Sequence, residues 1–537
     1  MSYSSFYFLA FLVAVIVVYY AVPKKVQWVV LLAASYAFYL IDGVAQVAYL
    51  IGSTVVTYTA AMIMQKKRDA YKQDLAARQE AGSLSRDEKQ ELKKQAGIKI
   101  HRVQVLALII QLAVLIVVKY LNFLLGVADS VVDLISPGHG VSTISILVPL
   151  GISFYTFMSM GYIIDIGKGK YEAERNFGKL ALFLSFFPSV IQGPINRFDD
   201  VGRQLGEGHA LKYENLTFGA QLMIWGFFKK LVIADRIAPL VATIFSDNYT
   251  EYSGTVFFVG MLGYAFQIYG DFSGGVDIAK GAAQMLGIEL PNNFERPYFS
   301  ESLADYWRRW HMTLGGWMRE YVFFPIMLSK GVSKLSKKAK NRFGNQAAKI
   351  VSSVITTFTV FFLIGIWHGA SFQYLAFGLY NAVIVAISVA LEPLFEKTNK
   401  ALKINTEAFS WKLFRIVRTF LITGGSKILV RSPGLKAATV IFGKIFTDID
   451  LDFIFGVDGQ IYTLGIDEKN MQLLILALLI LLVVSILQEK GIKIRETLAR
   501  QNIVFRWFVY IAAIVFILVF GMYGPEYNAV DFIYKQY

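Results

Sequence analysis

Apolar runs of about 20 residues, the length that carries a helix across the hydrocarbon core of a bilayer, recur along this whole chain. They lie near residues 6–22, 27–41, 45–65, 103–127, 143–165, 178–195, 216–246, 254–288, 349–367, 373–394, 411–430, 470–488 and 503–523. Such repetition leaves few architectures open, because in lipid each backbone N–H and C=O must be satisfied inside the segment or by neighbouring protein. The chain therefore reads as all-α, a polytopic integral membrane protein with roughly ten to thirteen crossings, some tilted or re-entrant. Composition agrees: 17% of the 537 residues are charged and 55% hydrophobic, where a soluble domain carries about a quarter charged residues. The first run, Phe6 to Tyr20, has neither a basic leader nor a small-residue cleavage site, and reads as a retained helix. With zero cysteines, disulfides, cysteine-ligated metals and a cysteine nucleophile are excluded.

The formal net charge is +14, yet its distribution argues against nucleic acid. Basic residues gather between apolar runs, where they set orientation by the positive-inside rule. Residues 66–102 hold eleven Lys/Arg against six Asp/Glu and read as a cytosolic helical excursion turning at Gly82-Ser83. Residues 330–349 hold seven basic side chains and no acidic ones, and read as a second cytosolic loop. Counting helices from these loops places the N-terminus outside. The 349–370 segment then carries His368 towards the exofacial half, and the 524–537 tail ends on that same face. No repeat or linker divides the chain, so a single integral domain over 1–537 is expected.

Ionisable groups inside membrane-like sequence are costly and imply a job. Two of the five histidines stand there, each beside tryptophan: Trp310-His311 and Trp367-His368. An imidazole can take and return a proton near neutral pH. At His368, with Gly365, Gly369 and Ala370 leaving room beside the ring, that means accepting a proton from an attacking hydroxyl. The competing reading is a core histidine bonded to a backbone carbonyl. His311 lies in a short aromatic stretch, 302–328, that reads as re-entrant, with Asp305, Arg308 and Arg309 just before it and Arg308 at i−3 on its helical face. A supporting role in binding the donor and a purely architectural role are both open. Asp271 and Asp277, with Ser273 between them, sit in an apolar helical run; structural pairing, with the arginines near His311 as partners, is favoured over cation binding. The glycines there permit a helix break or close packing. No metal-ligand spacing, phosphate-binding glycine loop or nucleophilic serine motif occurs.

These motifs carry a resemblance. Leu150 to Phe157, Phe186-Phe187-Pro188 with Gly193-Pro194-Ile195, Gly226 to Lys230, Asp271 to Gly274, Asn293-Phe294 with Pro297-Tyr298, Tyr306 to His311, and Trp367 to Ala370 resemble the membrane-bound O-acyltransferase family. The likeness is to its bacterial alginate O-acetyltransferase branch, related to the transferases of teichoic acid D-alanylation. It implies a ring of helices around a central tunnel, His368 as the catalytic histidine and His311 as the second important one. Trp367, Trp310, Arg308, Arg309, Asp305, Asp271 and Ser273 become candidate tunnel or substrate residues. The terminal Asp531 to Tyr537 resembles an aromatic motif that D-alanylation systems carry on a separate peptide, which makes Tyr534 a candidate acyl relay; an interfacial aromatic tail is the plainer reading.

The expected activity is O-acylation, most simply acetylation, of a cell-surface or secreted polysaccharide. The resemblance implies no bound cofactor or metal, a cytosolic thioester donor (acetyl-CoA or an acyl carrier protein), and an extracytoplasmic SGNH-type or similar transferase partner. A multi-pass position in a bacterial cytoplasmic membrane follows. D-alanyl transfer to teichoic acid is the nearest alternative. An ion-coupled transporter is the alternative of another class.

Overall fold

The computed structural model describes residues 2–82, 85–136, 144, 146–455 and 460–523. These form helices almost throughout, with one isolated antiparallel bridge, Phe294–Trp310. Seven described helices are long and apolar enough to cross a membrane: Val44–Glu80, Arg86–Ile135, Tyr213–Ile244, Lys330–His368, Phe372–Ala401, Glu468–Glu489 and Ile503–Phe520. The other apolar runs also fold as helices, but they are shorter or carry more charge. Gln27–Asp42 and Ile152–Lys168 have 16 and 17 residues. The 178–195 run breaks at Phe186 into Phe177–Ser185 and Phe187–Val190. Gly254–Met285 and Phe409–Arg431 are long but contain Asp271, Asp277, Lys412, Arg415 and Lys427.

By its internal contacts the chain divides into two compact units. The first comprises Met1–Leu216 with Ala282–Leu290, the second Thr217–Gly281 with Pro291–Tyr537. In the first unit, Val44–Glu80 and Arg86–Ile135 run for 37 and 50 residues, well past the roughly 20 a bilayer needs. The excess is the charged stretch 66–102, helical on both sides of Gly82. A capping box starts its second arm, with the Ser85 side chain accepting from the Glu88 amide and the Glu88 carboxylate from the Ser85 amide. Within the apolar part, Gln111 donates to the Ser53 carbonyl (3.0 Å) and the Thr57 hydroxyl (3.1 Å). Such bonds join helices that have no hydrophobic drive to associate in lipid.

The second unit is organised by backbone contacts that only glycine allows. A methyl on Gly226 would lie 2.6 Å from the Gly274 carbonyl oxygen, so Tyr213–Phe227 and Gly254–Met285 cross in direct contact. The helix is continuous through Gly270, Gly274 and Gly275, and close packing is the use made of Gly270 and Gly274. Lys330–His368 and Phe372–Ala401 form an antiparallel pair joined by three residues, and methyls on Gly365 and Gly378 would strike the Tyr374 and Phe361 carbonyl oxygens at 2.5 and 2.4 Å. The basic 330–349 stretch, expected as a loop, is helical and kinked at Gly344, whose φ of 86° lies in the left-handed region that suits a residue without Cβ.

Candidate active site

His368 is the last residue of its helix and is 8% exposed. The tight turn forced by Gly365 and Gly378 brings the next helix back against its ring. Tyr374 stacks at 6.1 Å between centroids and Phe377 meets it edge-on at 5.4 Å. The imidazole therefore opens onto a chamber of about 40 Å³ lined by Tyr306, Trp307, Trp310, Tyr374, Ser426 and Lys427, among others. That volume holds a water or a few heavy atoms at most.

His311 is 2% exposed and is built differently. The sequence suggested a helical face shared with Arg308. Instead the helix Leu303–Arg309, capped by Ser302, ends at Trp310, and His311 stands at φ 46° before a second helix, Met312–Met318. A non-glycine residue in this region is strained by about 1–3 kcal/mol and persists only where its surroundings enforce it. Here they do: Glu295 N–H donates to the Arg309 carbonyl and Met312 N–H to the Asn293 carbonyl, both at 2.9 Å, so backbone bonds bracket the histidine.

Its side chain is fixed as firmly. The Asn293 amide oxygen accepts from the Thr313 backbone N–H (3.1 Å) and hydroxyl (2.8 Å), and lies 3.1 Å from His311 Nδ1. A backbone N–H can only donate, so the oxygen end of the amide faces this cluster and Nδ1 must carry the proton. In the neutral ring, Nε2 is then the nitrogen with the lone pair. Phe272 packs edge-on against the same ring at 4.8 Å.

The two histidines meet across one tryptophan. Trp367 lies 5.6 Å from the His311 ring and 4.8 Å from the His368 ring, centroid to centroid. His311 lines a second, larger cleft of about 440 Å³, together with Arg308, Arg319, Phe361 and Ile364, within the range of small-molecule sites. Trp307 and Trp310 line both cavities and form the wall between them. Trp310 stacks on Tyr306 at 5.6 Å, and Trp307 Nε1 donates to Asn381 at 3.3 Å. Asn381 is buried and its amide donates to the Phe377 carbonyl, which fixes its orientation.

The remaining candidates separate. Arg308 lines the His311 cleft. Asp305 binds Arg309 at 3.1 Å and Arg308 at 3.5 Å, and Arg309 continues to Glu489 at 3.1 Å, where Arg296 also ends at 2.5 Å. This ties the His311 segment to the helix Glu468–Glu489. Asp271 and Ser273 line neither cavity. Their expected partners, the arginines near His311, are replaced by two buried lysines on a π-helical turn, Phe228–Ala234. Lys230 binds Asp271 (2.6 Å) and Asp235 (2.8 Å), while Lys229 binds Asp277 (2.8 Å) and Ser273 (2.9 Å). The Gly226-Phe227-Phe228-Lys229-Lys230 motif was visible, but its pairing depends on two helices crossing, which spacing does not encode. Tyr534 lies outside the described residues. Asn293, Asn381 and Lys427 were missed as site residues; of these, only Asn293 stood inside a recognised motif.

The chain is 31% identical over 454 residues to a "Probable alginate O-acetylase AlgI" of Pseudomonas syringae pv. tomato, covering 83% of this chain and 75% of that protein. It is 30% identical over 327 residues to a "Peptidoglycan O-acetyltransferase" of Helicobacter pylori, 54% of this chain and 58% of the relative. It is 31% identical over 259 residues to a "Teichoic acid D-alanyltransferase" of Bacillus subtilis, 47% of this chain and 61% of the relative. Residues 169–430, which include both histidines and both cavities, match the MBOAT family description. A multi-pass helical protein with a paired-histidine site, this chain belongs to the membrane-bound O-acyltransferase family and is an acyltransferase.

Proposed function

We propose that this enzyme moves an acetyl group from a cytosolic thioester to a hydroxyl on the outer face of a bacterial cytoplasmic membrane, for O-acetylation of a polysaccharide. The observation that carries this reading is the pair of histidine-lined cavities divided by Trp307 and Trp310. The larger cleft, with Arg308 and Arg319 in its wall, takes the thioester donor, acetyl-CoA or an acyl carrier protein. The guanidinium groups suit the donor's phosphate. The small chamber beside His368 takes the acyl carbon and the attacking hydroxyl. It suits a two-carbon group.

His368 acts as general base on that hydroxyl. The hydroxyl belongs to Tyr534, giving an acyl-tyrosine that an extracytoplasmic SGNH-type transferase unloads, or to the acceptor directly. A covalent relay splits one hard transfer into two easier steps. His311, with Nδ1 committed to Asn293, orients the donor through Nε2. Both termini lie outside in this scheme. The alginate and peptidoglycan acetyltransferase relatives support acetyl as the cargo, and the D-alanyltransferase relatives support D-alanine as the alternative.

The test is to incubate purified protein with acetyl-labelled donor and map the label by mass spectrometry. Label on Tyr534 that disappears in His368→Ala is expected. Full transfer by Tyr534→Phe sinks the relay, and full transfer by His368→Ala sinks the general base.

A further inference from the structure

We propose that Lys427 is a catalytic residue of this transfer, holding the acyl carbonyl oxygen as it becomes an oxyanion. The inference rests on the acyl-transfer reading above and adds a residue to it.

Lys427 projects from the helix Phe409–Arg431 and is 6% exposed. It lines the same small chamber as His368. Its ammonium nitrogen lies 3.3 Å from the Thr423 hydroxyl, 5.1 Å from the centre of the Tyr298 ring and 5.5 Å from that of Tyr306. Among the described residues no carboxylate pairs with it. The contrast lies within the same unit, where buried Lys229 and Lys230 each reach a carboxylate at 2.8 Å or less. Ring faces offer a cation about 0.5–2 kcal/mol, far less than a counter-ion in a dry site. The chamber thus holds a buried N–H donor that no described carboxylate occupies, placed to bind a negative charge that arises only during reaction, the arrangement that stabilises a transition state more than a ground state.

The step balances. The hydroxyl oxygen bonds to the thioester carbonyl carbon and its proton passes to His368. The carbonyl π pair moves onto oxygen, facing Lys427. Collapse re-forms the carbonyl and breaks the carbon–sulfur bond, and the imidazolium returns its proton to the departing thiolate.

The test compares wild type, His368→Ala, Lys427→Met and Lys427→Arg in detergent with acetyl-labelled donor. Lys427→Met is expected to lower kcat by about 10²–10³-fold, the usual loss on removing one oxyanion donor, with donor KM little changed. Lys427→Arg is expected to recover part of the rate, which a packing role alone does not predict. Wild-type kcat in Lys427→Met, beside an inactive His368→Ala, overturns the inference and leaves the acyl-transfer reading standing. Absence of transfer by wild type overturns the reading itself. Should the methionine variant not fold, Lys427→Gln is titrated with an O-alkyl methylphosphonate, an anionic tetrahedral mimic. Weaker binding than wild type supports the role, and equal binding overturns it.

Discussion

His311 occupies a backbone conformation that costs energy, and Asn293 is what makes that expense useful. One amide oxygen receives the Thr313 N–H and hydroxyl and fixes the imidazole tautomer. Asn293→Ala leaves buried donors unsatisfied at about 1–3 kcal/mol and frees the ring. We expect kcat to fall by about 10²-fold, in line with misplacement of a reacting group. Unchanged steady-state kinetics would refute this. Asn381 plays the matching part for Trp307, accepting its indole N–H. Asn381→Leu should therefore weaken the wall between the cavities and raise donor hydrolysis relative to transfer, read as free acetate per acylated product. Neither asparagine could be assigned these tasks from sequence. Their partners lie 20 residues and 74 residues away along the chain, and side-chain amides announce nothing by periodicity.

Among the elements, the hairpin of Lys330–His368 and Phe372–Ala401 sets the geometry at His368. Gly365 and Gly378 permit an approach that a methyl would block at about 2.5 Å from a backbone carbonyl oxygen. Backbone cannot yield as a side-chain tip does, so Gly378→Ala should force the helices apart and enlarge the aromatic chamber. Overpacking of this kind costs about 1–3 kcal/mol. A thermal-unfolding midpoint lowered together with kcat is the expected result. The ion-pair network behaves differently. Asp277→Ala takes from buried Lys229 its carboxylate partner, about 3–5 kcal/mol of destabilisation, and should lower the unfolding midpoint more than Gly378→Ala does.

The sequence made much of this legible: Trp-His-Gly marked the end of one helix, and the apolar runs marked the helical class. Two inferences failed for the same reason. Arg308 seemed to share a helical face with His311, and Asp271 seemed a partner for arginine, because periodicity assumes that helices continue and that neighbours in sequence pair. The break at Trp310 is held by residues 293–295, and the lysines partnering Asp271 and Asp277 sit 41 and 48 positions earlier. Long-range pairing decides both.

For the whole molecule, the absence of cysteine is a practical gift. Single cysteines placed at Lys94 or Lys337 should react with a membrane-impermeant maleimide only after cells are permeabilised, if both basic stretches face the cytosol. Labelling in intact cells would invert the proposed orientation.

The double-tryptophan wall has one more consequence, and it is electrical. A cell that stores energy as a proton gradient cannot tolerate a water-filled bore through the membrane that holds it. Trp307 and Trp310 line both cavities, and on the proposed function their indoles would let acyl groups be exchanged while the bilayer stays insulating. Trp307→Ala reconstituted in liposomes should discharge an imposed pH gradient faster than wild type, followed with an entrapped pH-sensitive dye. On this proposal the wall protects the cell's energy currency while the histidines attend to chemistry.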